Sequence, residues 1–284
     1  MTNPEQNQPV VDDLIRIALL EDIGSGDRTT SFLVGPEMKG RAGVIAKEDL
    51  VLAGTVPFQK TFQSLSSDTE SRFLKQEGSV VVQGETIAEL TGPLNVLLTG
   101  ERTALNFLQR LSGIATVTRR YVEKIKQFKA VLLDTRKTTP GWRVLEKEAV
   151  SSGGGTNHRM GLFDAVLIKD NHLAVCGGIR PAIEKVKKAR GPHMTIEVEV
   201  KNLEELRDAL DAKPDMIMLD NMSIETMKQA VEMTGGMVPL EASGNITLDT
   251  IEQVASTGVD YISAGAVTHS ARAVDISIAI VIEE

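Results

Sequence analysis

The second half of the chain alternates two patterns, and that alternation restricts the fold more than any other feature. Short apolar runs recur at 130–134 (AVLLD), 165–170 (AVLIKD), 195–200 (TIEVEV), 216–220 (MIMLD), 237–243 (MVPLEAS) and 261–265 (YISAG). Unbroken apolar runs of this length suit strands buried on both faces, as in a parallel sheet. Between them lie the amphipathic segments RPAIEKVKKAR, NLEELRDALDA, SIETMKQAVEM and TLDTIEQVAS. Asn202 with Glu205 has capping-box spacing, and Ser223 with Thr226 and Thr247 with Thr250 are weaker versions of it, so each pair predicts a helix start. Strands alternating with helices imply an α/β architecture with right-handed crossovers. A complete eightfold barrel needs about 250 residues. Only the chain from Ala130 onward carries the rhythm, so the expectation is an incomplete barrel, with an open doubly wound sheet as the alternative. The strand ends favour the barrel. Arg136 and Lys137 follow the first run, and Lys169 and Asp170 close the second. Glu199 and Asp220 end the next two, while Ser243-Gly244 and Gly265 follow the last two. In a barrel such ends converge on one mouth.

The N-terminal part reads differently. VDDLIRIALLEDIG predicts an amphipathic helix, and RAGVIAKEDLVLAG and TESRFLKQEGSVVVQGETIAELTG predict strands joined by glycine-containing turns, hence an antiparallel sheet. A long helical region is expected from Pro93 to Lys129, with a break near Gly113. The final run, VDISIAIVIE, is expected to return and pair with the N-terminal sheet. The predicted division is 1–112 for the first domain, together with 273–284, and 113–272 for the barrel.

The formal net charge of −8 argues against a nucleic-acid surface, because phosphate backbones are bound through positive faces. A single cysteine, Cys176, rules out an internal disulfide framework and any cysteine-rich metal site, and favours a reducing compartment. MTNPEQNQPVVDD lacks the basic and apolar regions of a signal peptide, and no apolar run is long enough for a bilayer. A soluble, cytoplasmic protein without membrane or nucleic-acid partners is expected.

Within this acidic chain, the stretch DTRKTTPGWRVLEKEAVSSGGGTNHRMGLFDAVLIKDNH (134–172) gathers Arg136, Lys137, His158, Arg159, Lys169 and His172. Arginine holds carboxylate and phosphate oxygens through a planar fork, and lysine supplies a point charge. Charges of this kind are usually solvated, but Arg136 and Lys169 follow apolar strand runs, where a solvated charge has no structural purpose. A pocket for a small, multiply anionic molecule is expected. His158 and His172 sit beside cations, which points to hydrogen bonding with an anion; no motif supplies the further ligands of a zinc site. His193 and His269 lie outside the cluster. Glu199 and Asp220 end neighbouring strands, and two hard oxygen donors there suit Mg²⁺ held jointly with substrate phosphates. An ion pair with a barrel lysine is the competing reading. Glu197 points the same way as Glu199, but Glu199 is nearer the mouth. The loops at Ser243-Gly244-Asn245 and Ala264-Gly265-Ala266 match the position of barrel phosphate sites. Gly153-Gly154-Gly155 fits no nucleotide fingerprint and reads as a flexible connection that lets His158 and Arg159 approach a ligand.

In order, DTRKTTPGWR, GGGTNHRMGLFDAVLIKDNH, IEVEV, MLDNM, LEASGNI and SAG, preceded by EDIGSGDRTT and GERTALNFLQRLSGIAT, resemble the quinolinate phosphoribosyltransferase family over nearly the whole chain. The resemblance implies an N-terminal α/β sandwich joined to an incomplete, six- to seven-stranded α/β barrel, working as a dimer. It implies an Mg²⁺-dependent reaction in which quinolinate and phosphoribosyl pyrophosphate give nicotinate mononucleotide, pyrophosphate and CO2, a step of de novo NAD synthesis. By similarity, Arg136, His158, Arg159 and Lys169 would hold the quinolinate carboxylates, with His172 close by and Arg102 reaching in from a partner subunit. Lys137, Glu199 and Asp220 would serve phosphoribosyl pyrophosphate and its Mg²⁺. Ser243, Gly244 and Gly265 would bind the 5-phosphate. Two alternatives are a paralogue of the molybdate-transport-associated type acting on another anionic substrate, and a non-catalytic phosphate-ligand binder.

Overall fold

The structure, a computed structural model, describes residues 4–191 and 193–282. In chain order the strands are β1 (Lys39–Ala46), β2 (Leu50–Val51), β3 (Glu70–Phe73), β4 (Val80–Val81), β5 (Thr86–Pro93), β6 (Val131–Leu133), β7 (Val166–Ile168), β8 (Ile196–Val200), β9 (Met216–Asp220), β10 (Leu240–Ser243), β11 (Tyr261–Ser263) and β12 (Ile276–Ile282). The chain forms two compact units. One comprises Met1–Arg119, Thr138–Gly154 and Ser270–Glu284, and the other Arg120–Lys137 and Gly155–His269. The sequence-based division at 112/113 and 272/273 therefore differs in two ways. The long helix changes unit seven residues later, after Arg119, and the segment 138–154 belongs with the N-terminal unit.

The first unit is built on an antiparallel sheet of order β12-β1-β5-β3. The C-terminal strand pairs with β1 from Gly40↔Ile282 to Ala46↔Ile276. The alternating burial of β1 directs Ala42, Val44 and Ala46 into a core shared with Phe58, Phe62, Leu105 and Leu108. Phe58 and Phe62 meet edge-to-face at 5.3 Å, one turn apart on the helix Thr55–Leu65. The expected break at Gly113 is absent, since Leu94–Ile125 is one continuous helix. Gly113 answers a different demand: a Cβ there would lie 2.0 Å from the Arg272 carbonyl oxygen, so the backbone passing over the helix excludes any side chain.

The second unit carries a six-stranded, wholly parallel sheet of order β6-β11-β10-β9-β8-β7. Every one of the six apolar runs forms a strand. The end strands β6 and β7 do not pair with each other, so the barrel is incomplete; an isolated bridge between Leu133 and Thr156 continues the sheet beyond β6. Asn202 and Ser223 cap their helices as expected, accepting the N–H of Glu205 and Thr226. Thr247 does not. Its helix begins only at Ile251, and the Thr250 hydroxyl accepts the Thr247 N–H, which closes a turn ahead of the helix.

Candidate active site

Two-residue alternation decides which side chains meet inside the sheet. Leu167 and Lys169, Met218 and Asp220, Glu241 and Ser243, with Glu199 and Ser263, line one cavity of roughly 500 Å³. The alternate residues of the same strands, Ile196, Val198, Ile217, Leu219 and Ala242, are buried and apolar. The polar residues thus share the inner face, and those nearest the C-terminal strand ends stand at its mouth. Asp134, Thr135, Arg136, Lys137, His158 and Arg159 complete the wall.

Of the residues singled out in the sequence, Arg136, Lys137, His158, Arg159, Lys169, Glu199, Asp220, Ser243 and Gly244 all line this cavity. Their settings differ from the simplest expectation in several places. Lys169 Nζ lies 2.8 Å from Glu199 Oε2, so the competing ion pair is present. His172 is exposed and outside the cavity lining; its Nδ1 accepts the Lys169 N–H at 2.9 Å and so closes the start of the helix Asp170–Cys176. Gly265 also lies outside the lining, and a Cβ there would come within 2.9 Å of the Lys137 side chain. It admits Lys137 by close approach. Arg102 belongs to the other unit and is exposed on the helix Leu94–Ile125.

The triple glycine is tightly held at its first two positions. Gly153 ends the helix Arg143–Ser152 and its carbonyl accepts from Arg119 Nε at 2.9 Å. A Cβ on it would lie 2.6 Å from the Ala115 carbonyl, and Gly154 has φ +94°. The glycines satisfy close packing and a left-handed turn, which corrects the reading of a loose hinge.

His158 is the most constrained of the cavity residues. Its N–H donates to Asp134 Oδ1 at 2.8 Å, its Nε2 lies 3.0 Å from Glu197 and 3.3 Å from Glu241, and its Nδ1 lies 2.7 Å from the Arg159 N–H. The anion it bonds is the protein's own. Burial opposes protonation at this site, but the hydrogen bond to Glu197 and the ion-pair contact with Glu241 outweigh it and push its pKa up to about 10. Burial, and then the charge of Glu241, raise Glu197 against the pull of His158. The cluster therefore retains a proton past neutrality. Because Nδ1 accepts the Arg159 N–H, the ring carries its one proton on Nε2, facing the carboxylates, and the further proton that the raised values imply is held by the glutamate pair. Arg159 is lowered by burial and by the neighbouring Arg136 charge, with Glu197 and Asp164 acting against them.

The opposite rim is shaped by asparagine and glycine. Gly244 has φ +100°, and a Cβ there would fall 2.2 Å from Asn221 Oδ1. Asn221 and Asn245 themselves sit at φ 52° and 51°. Asn245 donates to Asn221, and Asn221 donates to Asp220 at 2.9 Å. Ser263 donates to Ser243 at 2.9 Å. Sequence reasoning passed over Glu241, Asn221 and Asp134. Glu241 stands two positions before Ser243, so strand parity was a usable signal for it; Asn221 and Asp134 carry no such signal.

A parallel-strand mouth with clustered cations, paired carboxylates and a glycine turn defines an anion-handling α/β-barrel enzyme. Models of the quinolinate phosphoribosyl transferase N-terminal and C-terminal domains match residues 27–112 and 114–279. A probable nicotinate-nucleotide pyrophosphorylase [carboxylating] of Bacillus subtilis is 45% identical over 264 residues, covering 93% of this chain and 91% of that protein. Its counterpart from Synechocystis is 44% identical over 275 residues, covering 96% and 93%. Among solved structures, the nicotinate-nucleotide pyrophosphorylase of Francisella tularensis superposes with TM-score 0.91 at 43% identity, covering 96% of each chain. NadC of Streptococcus pyogenes superposes with TM-score 0.94 at 38% identity, covering 100% of this chain and 99% of that one. The chain belongs to the quinolinate phosphoribosyl transferase family.

Proposed function

We propose that this protein transfers phosphoribosyl from phosphoribosyl pyrophosphate to quinolinate with decarboxylation, giving nicotinate mononucleotide, pyrophosphate and CO2. It would thus serve de novo NAD synthesis as a carboxylating nicotinate-nucleotide diphosphorylase. The observation that carries the reading is the division of a single cavity. Arg136, Arg159 and Lys169 face it from the strand ends β6 and β7 and the segment between them, while Asp220, Ser243 and Gly244 face it from β9 and β10. A pyridine dicarboxylate suits the first set and a phosphorylated sugar the second.

Departure of pyrophosphate leaves positive charge on the ribose, which carboxylates at the mouth stabilise electrostatically. The pyridine nitrogen is the nucleophile, so the protein supplies orientation and charge, with no nucleophile of its own. Lys137 meets the departing phosphates, and the cation wall holds the dianion with its nitrogen toward the sugar. Glu199 and Asp220 fit Mg²⁺: both are carboxylates at the ends of neighbouring strands β8 and β9, both line the cavity, and Lys169 already holds a cation's place beside Glu199. When bound there, Mg²⁺ would neutralise pyrophosphate charge. We place Ser243 and Gly244 at the 5-phosphate, with Gly265 supporting Lys137. His172 is a helix-start residue bordering the site.

Further parts of the reading are a homodimer in which Arg102 completes the partner's cavity, and a cytoplasmic location. Among the described residues no helix is long and apolar enough to cross a membrane. Incubation with quinolinate and phosphoribosyl pyrophosphate should yield nicotinate mononucleotide, and chelation of divalent cations should abolish the yield. No product would overturn the reading and leave the paralogue with another anionic substrate, or a simple binder. Mixing Arg102→Ala with Arg136→Ala protein should restore part of the activity. No recovery, with mixed dimers shown to form, would refute the shared arginine.

A further inference from the structure

Beneath the cation wall lies a pair of groups that no step above uses. Glu241 is 0% exposed and Glu197 4%, and both carboxylates reach the same atom, His158 Nε2. Buried carboxylate oxygens normally have hydrogen-bond partners. Here Oε1 of Glu197 and both oxygens of Glu241 satisfy none. Burying a carboxylate without full pairing opposes folding, so stability does not account for a second glutamate at this ring. The rest of His158 is equally committed, through Nδ1 to the Arg159 N–H and through its own N–H to Asp134. Arg159 leaves the backbone one residue further on, and its guanidinium donates to the Ala165 carbonyl at 3.2 Å. Arg136 stands near enough to Arg159 for its charge to lower the Arg159 guanidinium, and Glu197 acts on Arg159 in the opposite direction.

We propose that Glu197 and Glu241 are positioning residues of the diacid subsite. Together they fix the His158 ring with its Nε2 edge turned into the protein, and through that ring they set the backbone from which Arg159 enters the cavity. His158 then acts through Arg159, and its Nε2 is not a donor to the substrate. This inference rests on the quinolinate reading above.

The chain has four histidines, so ring nitrogen and proton signals are few enough to assign, with His158→Gln as the blank. In the wild type, NMR should show a slowly exchanging Nε2–H and an unprotonated Nδ1 for His158. A freely exchanging or missing Nε2–H overturns the clamp. In steady-state kinetics, Glu241→Gln and Glu197→Gln should raise the quinolinate KM about tenfold while kcat and the phosphoribosyl pyrophosphate KM stay within about threefold, the pattern of a misplaced binding group. A fall in quinolinate KM would mean that the carboxylates act by charge alone. An unchanged KM with a lowered melting temperature would mean that they only support the fold. Either result refutes positioning. Should the glutamine variants not fold, the wild-type spectrum decides. Failure of the wild type to form nicotinate mononucleotide would overturn the functional reading instead, and the spectrum would still test the clamp.

Discussion

Glu146 and Glu241 are both 0% exposed, one in each unit, and they are treated in opposite ways. Glu146 pairs with Arg110 at 3.3 Å and accepts from both the Thr139 N–H and the Thr139 hydroxyl. Arg110 in turn donates to the Ala271 carbonyl. That carboxylate holds the segment 138–154 and the long helix of its unit together. Glu241 has an ion-pair contact with His158 and no hydrogen-bond partner for either oxygen. A charge that serves the fold is saturated with donors, whereas a charge placed beside a ligand cavity is left with capacity that packing alone does not explain.

The comparison can be broken at several points. The largest effect belongs to Glu146→Ala. It takes away the carboxylate partner of Arg110 and removes three interactions, so stability should fall by about 3–5 kcal/mol in denaturant unfolding; a loss under about 1 kcal/mol would mean that the network is ornamental. Next comes Arg136→Ala, a cation of the cavity wall, which should weaken quinolinate binding by about 2–5 kcal/mol in equilibrium dialysis while the unfolding midpoint barely moves. Near-normal affinity would remove Arg136 from the diacid subsite. The smallest effect is expected for Glu241→Gln. Neutralising a poorly paired buried charge at constant volume should change stability by less than about 1 kcal/mol. If that variant unfolds as readily as Glu146→Ala, the two glutamates are alike and the contrast fails.

Much of this arrangement was legible in the sequence because its signals are local. Each parallel strand is a short apolar run closed by a polar residue, and all six were readable. Asn202 and Ser223 announced their helices through side chains that bond three residues ahead. What escaped depended on distant neighbours. Gly113 looks like a helix breaker until the backbone at Arg272 is seen to cross it. Thr247 has the composition of a cap, but Thr250 uses its hydroxyl to close the preceding turn. His158 lines the cavity, but its cationic sequence neighbours gave no sign of its spatial ones, Glu197 and Glu241, contributed by two other strands. Seventeen residues, 138–154, separate the two halves of the cationic stretch and belong to the other unit, which no periodicity could reveal.

The gap in the sheet has one more consequence. A β-strand turns successive side chains to opposite faces, so it can offer a cavity only every second residue. His158 and Arg159 are adjacent, and both line the cavity. They can do so because the chain between β6 and β7 makes one bridge at Thr156 and then runs as irregular backbone, free of the ladder. Completing the ring with a regular strand there would turn one of the pair outward. Leaving a stave out of the barrel doubles the density of functional groups along that stretch of wall, and it lets two neighbouring side chains face the same cavity.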